Sequence, residues 1–221
     1  MTTQRIVLLH ATPLAMEPVR LAFEAHWPEA ETVNLLDDSL SRDRARDGAM
    51  TEAMIERFAS LCRYGHSLGA AGILATCSAF GPAIEHAARH LPIPVLRPNE
   101  AMFDAAFALG NRIGMIATFE PSIASMAEEF EEEAGRLGRD ARLTTRLAKG
   151  AMDMLRLGDE PGHNRLIGEQ AAAMAGVDAI MLAQFSMSGA AAAVRAAVTV
   201  PVLTSPETAV LKIRKAVTGK A

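Results

Sequence analysis

Short aliphatic runs alternate with longer stretches of helical period along the whole chain. Apolar runs of strand length fall at residues 5–10, 32–36, 72–77, 93–96, 112–117, 142–146, 178–183 and 200–203. Helical periodicity fills much of the intervening chain, over 50–68, 82–90, 121–137, 164–175 and 207–216. Strands separated by helices predict parallel sheets covered on both faces. Residues 179–194 carry no charge, but they are too few for a membrane span and hold Gln184, Ser186, Ser188 and Gly189 in their middle. They read as a strand, a turn and the start of a helix.

The pattern repeats. Displaced by 107 positions, Arg5-Ile6 falls on Arg112-Ile113, Phe23-Glu24 on Phe130-Glu131, and Ile73 on Ile180. Pro94-Val95-Leu96 falls on Pro201-Val202-Leu203 and Glu100 on Glu207, all without gaps. Strand meets strand and turn meets turn at one offset, which chance identity in an alanine-rich chain does not produce. The expected architecture is α/β with two duplicated domains, each a four-stranded parallel sheet flanked by helices, related by a pseudo-two-fold. The first comprises residues 1–100, with the C-terminal helix 207–221 packed back on it, and the second residues 101–206. The join at Phe107-Ala108-Leu109-Gly110 reads as a helix ended by a glycine cap.

Composition narrows the class. Half of the 221 residues are hydrophobic and 22% are charged, as in ordinary globular proteins. A net charge of -4 gives no electrostatic case for nucleic acid or an anionic membrane. The N-terminus passes almost directly into a strand without the apolar region of a signal peptide, and only Cys62 and Cys77 are cysteines. A reducing, cytoplasmic setting follows as the expectation.

In open parallel sheets, ligands bind beyond the carboxyl ends of the strands. The segments to inspect are therefore His10-Ala11-Thr12, Thr76-Cys77-Ser78, Thr118 with Ser122, and Gln184-Phe185-Ser186. Cys77 ends an aliphatic strand, with Pro82 near the start of the next helix. There a thiol feels the positive end of the helix, which raises its thiolate fraction. Hydroxyls and backbone N–H groups beside it are suited to a carboxylate. A buried structural cysteine is the alternative for Cys77 and the reading for Cys62. Thr118 and Ser122 repeat the design one half later, as anion donors or as helix caps. Gln184 falls on Cys77 in the repeat; an amide can orient a substrate but not titrate. His10 would bring a titratable ring to a strand end, or serve as a hydrogen-bonded structural histidine. His86 and His90 read as a solvated helix face, so no metal site is expected. The turn after the first strand, Ala11-Thr12-Pro13-Leu14-Ala15, lacks the glycines of a dinucleotide fingerprint.

The duplicated halves, the phrase Ala75-Thr76-Cys77-Ser78-Ala79-Phe80-Gly81 and the phrase Leu182-Ala183-Gln184-Phe185-Ser186-Met187 resemble the aspartate/glutamate racemase superfamily. That superfamily includes hydantoin racemases, maleate isomerases and arylmalonate decarboxylases. The resemblance spans nearly the whole chain. It implies chemistry without cofactor or metal, at the carbon next to a carboxylate, in a cleft between two pseudo-symmetric domains, and a homodimer. It also implies one cysteine after the third strand of each half, on opposite faces of the substrate. Here Cys77 is present, Gln184 stands where the second belongs, and His10 stands where an asparagine is usual.

The expected activity is that of a racemase, isomerase or decarboxylase acting on a small carboxylate. Cys77 is the expected acid/base or nucleophile, with His10 as a further candidate base. Thr12, Thr76, Ser78, Thr118, Ser122, Gln184 and Ser186 are the expected substrate-binding residues. The alternative is a catalytically inactive carboxylate-binding or regulatory protein of the same fold.

Overall fold

A computed structural model describes residues 3–219. The strands are β1 (Arg5–His10), β2 (Glu31–Leu36), β3 (Gly72–Ala75), β4 (Val95–Leu96), β5 (Arg112–Ala117), β6 (Arg142–Leu147), β7 (Ala179–Leu182) and β8 (Val202–Thr204). The first five helices are α1 (Met16–His26), α2 (Ser39–Asp47), α3 (Glu52–Ser67), α4 (Gly81–His90) and α5 (Glu100–Leu109). The rest are α6 (Pro121–Arg136), α7 (Ala151–Arg156), α8 (Glu160–Ala172), α9 (Ala191–Ala197) and α10 (Ser205–Thr218). Two four-stranded sheets result, ordered β2-β1-β3-β4 and β6-β5-β7-β8, with every pairing parallel.

The chain divides into two compact units. The first runs to Asn99 and resumes at Ala209; the second is Glu100–Thr208. Each sheet is therefore completed by a helix from beyond its own strands. In the first unit, the side chains of Ile213 and Val217 on α10 lie over Gly72. There a Cβ would come within 3.0 Å of Val217. In the second, Phe103 and Phe107 on α5 pack against Phe130 of α6, with ring centroids 5.7 and 4.9 Å away.

The two sheets share one register. Ile6 pairs with Gly72 as Ile113 pairs with Ala179, and Ile73 with Val95 as Ile180 with Val202. All four of these residues are shifted by 107. The second strand departs from the gap-free expectation: Arg5 pairs with Glu31 but Arg112 with Arg142, an offset of 111. The extra residues lie in the longer α6, and the intervening helices restore the offset by β7.

One core contact is exchanged between the copies. Val7 on β1 faces Gly65 of α3, whereas the matching Gly114 on β5 faces Met174 just past α8. A bulky strand residue against a helix glycine is replaced by a strand glycine against a bulky residue, so the spacing of helix and sheet is kept.

Strand and helix ends also differ from the apolar pattern. The third strand stops at Ala75 rather than at 77, and the fourth covers only Val95–Leu96, since Pro92 and Pro94 cannot donate to a ladder. α8 starts at Glu160, earlier than the 164 expected, because the Asp159 side chain accepts a 2.9 Å hydrogen bond from Gly162 N–H.

Gly110 is not a left-handed cap; it is absent from the glycines with positive φ among the described residues. Its role is space. A Cβ there would lie 2.4 Å from both Cβ and Oδ2 of Asp178. That carboxylate cannot move aside freely, because it accepts from the N–H groups of Asn111 (3.1 Å) and Arg112 (2.9 Å) and pairs with the Arg112 guanidinium. Those hydrogen bonds, the Arg112 side chain foremost, hold its pKa down to about 2. Gly110→Ala should therefore lower the melting temperature by about 2–10 °C, from an overpacking cost of about 1–3 kcal/mol. A wild-type thermal melt would refute this account of the glycine.

Candidate active site

At the carboxyl edge of the first sheet, His10 closes β1 and is fully buried. Its Nε2 lies 2.8 Å from Asn34 Oδ1 on β2 and its Nδ1 lies 2.9 Å from Thr76 Oγ1 after β3. An amide oxygen only accepts, so Nε2 carries the proton and Thr76 donates its hydroxyl to Nδ1. Burial lowers the His10 pKa, and the bond to Asn34 offsets this only in part. His10 is thus a neutral ring with both nitrogens engaged, and it clamps the threonine that precedes Cys77.

Asn34 was not among the residues singled out from sequence. A polar residue at the centre of the run Glu31–Leu36 is its only signal. Its relevance depends on the parallel register, in which Leu8 pairs with Asn34 and His10 with Leu36.

Cys77 follows in extended conformation (φ -134°, ψ 120°) and its half-buried thiol packs against the first unit's apolar core. A single 3-10 turn, Ser78–Phe80, separates Cys77 from α4, which carries Pro82 in its first turn as its sequence context implies. Ser78, also half-buried, opens that 3-10 turn. Thr12 caps its own turn, Pro13–Ala15, by accepting from Leu14 N–H at 3.4 Å.

Cys62 behaves differently. It is fully buried on α3, and burial pushes its thiol pKa up to about 12. A mild alkylating agent near neutral pH should label Cys77 and leave Cys62 unmodified in the folded protein. Peptide mapping that finds the label on Cys62 would reverse the assignment of the two thiols.

In the second unit, the position equivalent to Cys77 begins an analogous 3-10 turn, Phe185–Ala190, but carries Gln184. Its Oε1 accepts from the backbone N–H of Thr118 (3.0 Å) and from the Thr118 hydroxyl (3.2 Å). Its Nε2 donates to Ser122 Oγ at 2.7 Å, and that hydroxyl in turn donates to the Phe119 carbonyl at 2.7 Å. Thr118 and Ser122, expected as anion donors or as helix caps, are both bonded to the Gln184 carboxamide here. Ser186 is half-buried within the same 3-10 turn.

The sites are therefore two unequal versions of one design, each at the carboxyl edge of a parallel sheet. In the first, Cys77 directly follows a His–Thr–Asn clamp; in the second, an amide is locked to a threonine and a serine. This defines the class as a duplicated parallel α/β protein whose two copies differ in chemistry at one equivalent position, Cys77 in the first and Gln184 in the second.

The sequence matches the Asp/Glu/Hydantoin racemase family from residue 10 to residue 213, and the chain belongs to that family. It is in that sense an enzyme of the racemase and isomerase type. Solved structures share the fold at low identity. Allantoin racemase from Klebsiella pneumoniae superposes with a TM-score of 0.74 at 18% identity, covering 96% of this chain and 87% of that one. An aspartate racemase homologue from Pyrococcus horikoshii superposes at 0.75 with 13% identity, covering 98% and 100%. A glutamate racemase isoform from Bacillus anthracis superposes at 0.71 with 14% identity, covering 96% and 80%. None of the curated proteins matches the sequence. Among the described residues no helix is long and apolar enough to cross a membrane.

Proposed function

We propose that this protein handles the carbon next to a carboxylate in a small substrate, without a cofactor, using Cys77 as its only proton-transferring thiol. The observation that carries the reading is the asymmetry between Cys77 and Gln184. One edge carries a thiol directly after a buried His10–Thr76 pair. The matching edge presents a carboxamide that cannot exchange a proton and is held by Thr118 and Ser122.

The chemistry follows from that inventory. Inverting a stereocentre requires a proton to leave one face and another to arrive on the other. One thiolate alone supports reactions on a single face. It can take the proton from the carbon, leaving the C–H electron pair as an enediolate, and then return the proton to the same carbon. It can equally protonate an enediolate formed when a malonate-type substrate loses CO2, or add to a double bond and leave again. In each case negative charge builds on the carboxylate oxygens. Ser78 and the N–H groups of the turn after Cys77 are the donors we assign to it, with Thr76 and His10 as positioning residues.

The test is incubation with a panel of small mono- and dicarboxylates in heavy water, followed by mass spectrometry and chiral separation. Deuterium incorporation with retention of configuration, or decarboxylation to a product deuterated at the same carbon, is the expected result. Rapid racemisation by the wild-type protein would show a second proton donor and overturn the single-thiol reading. A protein that binds these carboxylates with no exchange at all would be a binding module instead.

A further inference from the structure

Met54, Phe58, Cys62 and Gly65 form a buried stripe along α3 in the first unit, with Ala59 buried beside it. The same spacing in the second unit gives His163, Ile167, Ala171 and Met174, all buried. A histidine thus stands where the other copy has an apolar side chain. Its Nδ1 lies 2.9 Å from the Ala151 carbonyl. A carbonyl only accepts, so Nδ1 carries the proton, and in the neutral ring Nε2 is a bare acceptor. That Nε2 is buried without a protein partner, and so is Oδ1 of the next residue, Asn164. Orphaned buried acceptors are costly and call for a donor.

Their place in the fold is specific. Met174 lies over Gly114 near the start of β5. From there α8 runs against the strand direction, so that eleven residues at about 1.5 Å each reach His163. The four residues from Gly114 to Thr118 cover about 13 Å at about 3.3 Å each. His163 is therefore level with the strand's carboxyl end. Two contacts agree: Ala151 opens α7 directly after β6, and the neighbouring Ala148 donates its N–H to the Ala117 carbonyl. The first turn of α8 also abuts the turn after Gln184, where a Cβ at Gly189 would lie 3.1 Å from Glu160 Oε1.

We infer that His163 Nε2 and Asn164 Oδ1 together hold one buried water molecule, and that through it His163 positions the Phe185–Ala190 turn that carries Ser186. The two acceptors stand on successive residues of α8, and a single water has two O–H donors to match them. With both hydrogens so spent, the water oxygen turns its lone pairs toward donors of the 3-10 turn, the N–H groups and the Ser186 and Ser188 hydroxyls. Two acceptors on α8 are thereby converted into one acceptor that faces the turn.

Three measurements on the full chain decide this. A crystal structure that resolves ordered water is expected to show one molecule within hydrogen-bond distance of both atoms. Long-range proton–nitrogen spectra of the His163 ring are expected to show Nδ1 carrying a proton toward the Ala151 carbonyl and Nε2 accepting. His163→Met, which copies Met54, is expected to keep its melting temperature or raise it, yet let the amides of 185–190 exchange about tenfold faster, the effect of one lost bridging hydrogen bond. His163→Gln, which restores an acceptor, should recover part of that protection where a purely steric role would not. A dry cavity, or a ring protonated at Nε2, overturns the water site. Unchanged exchange at 185–190 in His163→Met overturns the positioning role. None of these readouts depends on the catalytic reading of Cys77.

Discussion

Cys77→Ser should lose about a hundred- to ten-thousand-fold in turnover, the usual range for removing a positioned acid or base. The substitution keeps a similar volume and a hydroxyl able to donate a hydrogen bond. What it removes is the acidity of a thiol: a serine hydroxyl is far less acidic and fails as a proton carrier in the same space. The side chain is half-buried and contributes only its edge to the first apolar core, so folding and carboxylate affinity should survive. The measurement is the rate of deuterium exchange into whichever carboxylate the wild-type protein labels, read beside a thermal melt and a binding isotherm. A serine variant with the wild-type exchange rate would sink the assignment of Cys77. A variant that fails to fold would be replaced by Cys77→Ala, which fills less space and carries no polar demand.

Much of the frame was legible because strands and helices carry different periods. β1 and β5 are clean aliphatic runs after an arginine, and their bounds follow from the pattern alone. α2 was not legible for the opposite reason: Ser39–Asp47 buries only Leu40, so its helical state rests on tertiary context and on Gly48 in a left-handed C-cap rather than on an apolar stripe. The constant displacement of 107 failed at β6 because edge strands tolerate changes in the preceding helix, provided that the central strands keep their register. The Cys77 and Gln184 turns were found from strand ends. The His10–Thr76–Asn34 clamp was not, since three residues far apart in sequence meet only once the order β2-β1-β3 is known.

His163 shows the same limit more sharply. Within α8 it occupies a position of the apolar face, where sequence alone offers a buried histidine among many plausible ones. Only the comparison with Met54 in the first unit marks it as a departure, and only the orphaned Nε2 gives that departure a physical consequence. Duplication is thus useful beyond fold assignment. Each unit is a control for the other, and positions where the two disagree in chemistry (Cys77 against Gln184, Met54 against His163) are where function is to be sought.

Gln184→Cys should create racemisation that the wild-type protein lacks. The substitution first breaks the two bonds from Thr118 and the one to Ser122, at a cost of about 0.5–1.5 kcal/mol each, so a modest fall in melting temperature is expected. It then leaves a thiol in the position equivalent to Cys77, beside the backbone N–H and hydroxyl of Thr118, donors of the kind that stabilise a thiolate. The carboxamide had been supplying an acceptor to those donors; a thiolate replaces it with an acceptor that also exchanges a proton. The gain should be at least about tenfold over the wild-type racemisation rate, a small part of what a positioned acid or base contributes. It is measured by chiral separation on a carboxylate whose carbon the wild-type protein labels with retention. Gln184→Ala is the control, because it frees the same donors without adding a thiol: it should not invert the substrate. The double variant Cys77→Ser with Gln184→Cys should again lose inversion, since one thiol is then left. If Gln184→Cys inverts no faster than Gln184→Ala, Gln184 does not stand in for the second proton carrier, and the single-thiol account of this racemase-family chain fails with it.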